Sequence, residues 1–345
     1  MNSPAPEPVQ SPYLPGTSIR FAWDSTCLGD LKKCPRYYQY VHLDGWTPKD
    51  ESIHLRFGIE YHQSLHDFET ARANGATHND ALRDTIRDLL CRCIDYPDVD
   101  PNARPSVRVK TKTNLVRTVV WYVDQFKDDP AETVSLEEEH EHPIPAMEVS
   151  FKFELDWGPE AGESVATSWE VGEDKAIDAI MSKAQPYLLC GHLDRLVTYA
   201  DETFVMDRKT ATATLSQHYF AQYEPNNQMT LYTLAGQVVL GTSIRGVIID
   251  AAAIQVQGSW FQRGFTYRTK GQLDEWLRDL KWWLKQAEEY AVANHWPMND
   301  TACDKYGGCK FRDICNKDPA VRERFLEAQF VQQPIESRWN PLKPR

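Results

Sequence analysis

The sequence predicts an α/β fold: a central mixed sheet flanked by helices, with a helical addition on its N-terminal side. Three observations carry that expectation. Apolar residues recur at helical spacing through the first third of the chain. Alternating, β-rich segments take over from residue 147. Helical spacing then returns between and after them, so the order reads helices, three strands, helix, two strands, helix. With 345 residues, 41% of them hydrophobic and 26% charged, the chain can bury a large core.

Each element has a local reason. Residues 1–17 are Pro-rich and are expected to be a disordered tail. Residues 18–130 form a helical region. Asp24 and Ser25 are N-cap candidates for a helix over 24–41, which Pro35 interrupts or restarts. Ile53, Phe57, Tyr61, Leu65 and Phe68 predict a helix over 52–74, ending near Asn74-Gly75. Two more amphipathic helices follow at 78–96 and 112–128, with a loop at 95–111 between them. The core spans 131–300. MEVSFKFELDW (147–157) alternates as a strand, and a short helix is possible at 174–184. PYLLCGHLDRLVTY (186–199) and ETFVMDRKTA (202–211) read as a hairpin around Ala200-Asp201. A helix over 225–241 closes at Gly241, strands follow at 243–254 and 259–269, and a long helix covers 271–295. A Cys-bearing module (301–329) and a flexible tail (330–345) complete the chain.

No run of about 18 apolar residues is present, so no membrane span is expected. The N-terminus lacks a basic region followed by an apolar stretch, which reads as no secretory signal and a cytoplasmic protein. The net charge of −12 opposes non-specific binding to polyanions over the whole surface. It leaves room for a local basic channel. Arg104, Arg108, Lys110, Lys112 and Arg117 lie in one stretch without an acid, equally readable as a solvated loop or a phosphate-contacting patch.

The chemistry concentrates in the hairpin. Asp194 precedes Asp207 by 13 residues, on the neighbouring strand. Strand alternation points Asp207 and Lys209 the same way and Arg208 the other. Two adjacent carboxylates repel, and a divalent cation relieves the repulsion. A cation, two acids and a lysine are the parts for hydrolysing a phosphodiester.

G-H-L-D-R followed by M-D-R-K resembles the PD-(D/E)XK nuclease superfamily in its RecB-like branch, and so does FGIEYHQSL with His62. N-N-Q-M-T-L-Y supplies the Q-x3-Y pair of that branch as Gln228 and Tyr232, i and i+4 on a helix. The resemblance covers roughly residues 25–315 and implies a restriction-endonuclease-like sheet. It implies that His62, Asp194, Asp207 and the backbone carbonyl of Arg208 bind Mg²⁺ or Mn²⁺. Lys209 would be the catalytic lysine, with Gln228 and Tyr232 orienting it or contacting phosphate. His192 shares a strand face with Asp194 and competes with His62. His62 and His66 are spaced as in a zinc-protease helix, but Gln63 stands where that motif needs its Glu base.

Cys303, Cys309 and Cys315 form C-x5-C-x5-C, wider than usual zinc pairs. RecB-like nucleases of the AddB type and the CRISPR-associated exonucleases have one Cys before the core and three after it. By that resemblance Cys34, in C-P-R-Y-Y, completes a [4Fe–4S] site. Cys27 is a rival for the fourth place; Cys27, Cys91, Cys93 and Cys190 read as core thiols by default.

The resemblance implies a metal-dependent DNA exonuclease on single strands or DNA ends, in recombination, repair or phage DNA processing. No G-x4-G-K-[ST] stretch is present, so a motor would come from a helicase or recombination partner. The alternatives are a non-catalytic nucleic-acid-binding subunit of a helicase–nuclease complex and a zinc-stapled RNA nuclease.

Overall fold

The computed structural model describes residues 10–50, 52–136, 144–158, 185–304 and 308–343. The helix expected over 174–184, and residues 1–9 of the expected tail, lie outside the described residues. The chain divides into two units: Met1–Asp50, Ser150–Gly191 and Lys270–Arg345 form one, Glu51–Val149 and His192–Thr269 the other.

The second unit holds a mixed sheet. Its strands are Leu188–Tyr199 (from His192 onward), Glu202–Ala211, Gly246–Gln255 and Gly258–Tyr267. The first pair is antiparallel, with Arg195 opposite Met206. The expected hairpin turn is present, and Ala200 and Asp201 both have positive φ, the twist that suits a two-residue connection. Glu202–Ala211 then pairs in parallel with Gly246–Gln255, which needs a crossover, supplied by helices Gln217–Ala221 and Asn227–Leu240. Asn226 caps the longer helix through two backbone N–H groups, and Gly241 ends it in the left-handed conformation. Because helices cover both faces of the Glu202–Ala211 strand, Phe204, Val205 and Met206 are all buried.

Register decides which side chains share a face. Arg208, Asp250 and Arg263 form one cross-strand row. That face carries helices Ile53–Ala73 and Lys112–Gln125, through a core of Phe57, Tyr61, Leu65, Val119, Tyr122 and Ile254. Asp207 and Lys209 alternate to the other face, on which Gly236 meets Val205 and Gly264 meets Phe220. Gly246 sits where an added Cβ would lie 2.2 Å from the Thr266 carbonyl oxygen. A backbone atom cannot rotate away, so Gly246→Ala should destabilise this unit by about 1–3 kcal/mol. Urea unfolding checks it; an unchanged midpoint would refute the packing described.

The first unit is built on other contacts. Pro35 restarts the helix as expected, giving Ser25–Lys33 and Pro35–Tyr38 with Cys34 between them. Ala22–Trp23 pairs in parallel with Leu188–Leu189. Gly191 leaves room for the Phe151 ring, whose Cζ would lie 2.6 Å from an added Cβ. The stretch from 330, expected as a flexible tail, is held in its described part. Phe330–Gln332 pairs with Trp46–Pro48, and Trp339 Nε1 donates to Asp24 Oδ2 at 2.7 Å. Apolar Phe330, buried against Phe311 and Trp46, explains why composition misled there.

Candidate active site

Asp194 and Asp207 occupy neighbouring strands of the mixed sheet and are both buried. Asp194 Oδ2 accepts the Arg208 backbone N–H at 2.8 Å. His62 Nδ1, from the helix Ile53–Ala73, lies 3.4 Å from the same oxygen. Lys209 Nζ lies 2.7 Å from Asp207 Oδ2, on the face that alternation assigned to both. That contact is a close ion pair between the ammonium and a carboxylate that is itself almost fully buried.

Each charge responds to its neighbours. Burial pushes the Asp207 carboxyl up to about 6, with Lys209 opposing the rise and Asp194 adding to it. Burial also acts against Asp194, but His62, Lys209 and the Arg208 N–H outweigh it and hold that carboxyl below its ordinary value. Burial disfavours the Lys209 ammonium, yet Asp207 and Asp194 raise it above its ordinary value. Lys209 is therefore a cation at neutral pH.

The sequence resemblance implies Mg²⁺ or Mn²⁺ at these acids. Among the described residues, no three His, Cys, Asp or Glu side chains close around one point as a metal cage. The donor set still suits a hard cation: two adjacent buried carboxylates and an imidazole beside them. In the structure, Lys209 and a backbone N–H balance the carboxylates.

Gln228 Nε2 donates to the Tyr232 hydroxyl at 3.0 Å, so the helical i, i+4 pair is real. His192 is buried in the Asp194 strand. Sequence reasoning passed over Tyr219, whose phenol interacts electrostatically with Lys209 and Asp207 and shares a 3.2 Å hydroxyl contact with Tyr223. It also passed over Glu69, buried behind the site against Arg195 and Arg208. The signal for Glu69 was its place seven residues after His62, two turns along one helix. A lone Glu on an amphipathic helix otherwise looks like a solvated charge.

The basic stretch does not present five exposed cations. Arg104 and Arg108 are exposed, but Lys110 is buried, with its ammonium 4.2 Å from the Phe57 ring centroid. Lys112 is half-buried, and Arg117 lies over the Trp121 ring. Burial brings Lys110 down to about 8. Below that pH both folded and unfolded chains hold the proton, and the folded state carries the full penalty. From about 8 to the ordinary lysine range near 10.4 the unfolded state holds more protons, so stability rises with pH. Lys110→Met should therefore stabilise the protein at neutral pH, by on the order of 1–3 kcal/mol, and flatten that alkaline rise. Denaturant titrations at pH 7 and 9 check it; a destabilised variant would contradict it.

In the first unit, Cys34, Cys303, Cys309 and Cys315 line one cavity with Tyr37, Tyr40, Met298 and Phe311. None of the eight cysteines is in a disulfide. The Asn299 N–H donates to Cys34 Sγ at 3.3 Å, and the Cys309 N–H to the Cys303 carbonyl at 2.8 Å. Burial raises Cys303 and Cys315, and neighbouring cysteines, Cys34 and Cys309 among them, add to the rise. The four thiols share one apolar cavity, with a backbone N–H aimed at one sulfur, but they do not close around one point in the structure. The rival Cys27 is fully buried, 3.6 Å from His42 Nδ1, and burial raises its thiol well above the ordinary range. Cys93 and Cys190 are buried as expected, whereas Cys91 is exposed on its helix.

A mixed sheet bearing adjacent buried acids and a lysine defines an α/β protein with the groups of a nuclease site. The chain belongs to the PD-(D/E)XK nuclease superfamily, whose profile matches residues 26–316. Among solved structures it is similar to one described as a candidate exonuclease from Eubacterium rectale. The identity is 9% and the TM-score 0.44, over 82% of this chain and 86% of that one. It is also similar to a protein designated SSO0001, at 11% identity and TM-score 0.26, over 78% and 79% of the two chains. No curated protein matches the chain. Among the described residues no helix is long and apolar enough to cross a membrane.

Proposed function

We propose that this chain is a divalent-metal-dependent deoxyribonuclease of the RecB-like branch, acting exonucleolytically on single-stranded DNA or DNA ends. The observation that carries the reading is the buried Asp194–Asp207 pair with Lys209 against it. His62, Asp194, Asp207 and the Arg208 carbonyl would hold Mg²⁺ or Mn²⁺. When bound, the cation would lower the pKa of a water and screen the phosphate oxygens. Asp194 stays ionised at neutral pH. Lys209 would stabilise negative charge on the phosphate or help position the attacking water. Gln228 and Tyr232, tied to one another, would orient Lys209 or contact the phosphate.

Cys34, Cys303, Cys309 and Cys315 would hold a [4Fe–4S] cluster, supported by their shared cavity. Its role would be structural, joining chain segments that are far apart in sequence. Recombination, repair or phage DNA processing in the cytoplasm, beside a helicase or recombination protein, is the setting the reading implies.

The test is a gel assay with 5′- and 3′-labelled single- and double-stranded DNA and Mn²⁺. Progressive shortening of single strands from one end is the expected result. Absence of any Mn²⁺-dependent cleavage would reject the assignment.

A further inference from the structure

Two arginines follow the two acids in the chain: Arg195 after Asp194, and Arg208 after Asp207. Alternation turns both away from the carboxylates. Both meet the same group. Glu69 Oε1 accepts from Arg195 Nη1 at 3.2 Å and from Arg208 Nη2. Arg208 is 1% exposed, and all three side chains are largely buried. Glu69 lies on the helix that carries His62.

We propose that Glu69 is a positioning residue that sets the geometry of the cation ligands. The inference rests on reading His62, Asp194 and Asp207 as a divalent-cation site. Arg208 is fixed twice, by its side chain to Glu69 and by its backbone N–H to Asp194 Oδ2. Arg195 is held by Glu69, by Thr133 Oγ1 at 2.7 Å and by the Ala131 carbonyl at 2.9 Å. One carboxylate thus ties the strand positions next to both acids to the helix that brings His62 within 3.4 Å of Asp194. A buried ion pair adds little stability over an apolar contact of equal volume. What it supplies here is register: an apolar contact could slide along the helix, whereas a bridge to two guanidinium groups cannot. Partners behind a metal ligand commonly change its affinity without touching the ion.

The experiment is calorimetric titration of the metal-free full chain with MnCl₂, with melting temperatures measured alongside. The variants are Glu69→Gln, Glu69→Asp and Asp129→Asn. Asp129 belongs to the same charge network, bound by Arg263 at 2.6 and 2.7 Å and 3.7 Å from Arg195 Nη1, whereas Glu69 is the side chain that bridges Arg195 and Arg208. Glu69→Gln should lower Mn²⁺ affinity about tenfold or more below its melting temperature. Glu69→Asp keeps the charge on a shorter arm, which should not span both arginines, and should show a smaller loss. It carries the test should Glu69→Gln not fold. Asp129→Asn should lose thermal stability and keep its Mn²⁺ affinity. Wild-type affinity in both Glu69 variants, or an equal loss in Asp129→Asn, overturns the proposal. A wild-type chain that binds no Mn²⁺, or binds it equally well as Asp207→Ala, rejects the cation site itself and the proposal with it.

Discussion

Lys209→Ala should lower the rate of Mn²⁺-dependent DNA cleavage by about 10²–10³-fold, the usual cost of losing a charge-stabilising group aimed at the reacting centre. Asp207→Ala should remove measurable cleavage. Two features make these the largest expected effects. Asp207 is almost fully buried on the strand beside Asp194, where a ligand to a shared cation would stand. The Lys209 ammonium is stabilised by both acids, and among the described residues no other cation is paired with Asp207. Neither variant should unfold the protein. Asp207→Ala removes a carboxylate that burial already disfavours, and the Lys209 side chain, 26% exposed, can turn to solvent. Circular dichroism beside the cleavage assay separates lost chemistry from lost folding. Full activity in both variants would place the chemistry elsewhere.

Cys34→Ser should strip most of the iron and sulfide from the protein and remove visible absorbance near roughly 400 nm. Cys34 links the end of one helix to the start of the next, and its sulfur already takes the Asn299 N–H. Loss of a cluster there should speed amide exchange in Ser25–Lys33, Pro35–Tyr38 and Arg312–Cys315. Amides in Glu202–Ala211 and Gly246–Gln255 should exchange as before. Cys27→Ser is the matched control: its sulfur faces His42 and is absent from the cavity lining, so iron content should not change. Iron-free wild-type protein purified without oxygen, or zinc in its place, would defeat the cluster reading.

Much of the sheet could be read from residue patterns because the patterns were local. The Ala200-Asp201 turn, the Asn226 cap and the Gly241 stop each depend on a few neighbouring residues. The same holds for the Asp207–Lys209 pairing, which follows from alternation alone. What escaped notice depends on contacts between residues distant in the chain. Lys110 looks like surface charge until Phe57 is seen beneath it. Glu69 looks solvated until Arg195 and Arg208 are found against it, 126 and 139 residues away. The segment from 330 lacks a strong pattern and is held by pairing with Trp46–Pro48. Charge run and Pro content are properties of the sequence; burial of a single side chain depends on the partner it meets.

The most direct measurement is crystallographic: crystals soaked in MnCl₂, with anomalous scattering recorded at the manganese edge. The expected result is one strong peak bonded to carboxylate oxygens of both Asp194 and Asp207, with Lys209 moved off Asp207 Oδ2. A chain that takes up no manganese there, and keeps Lys209 against Asp207 in saturating metal, would contradict the account.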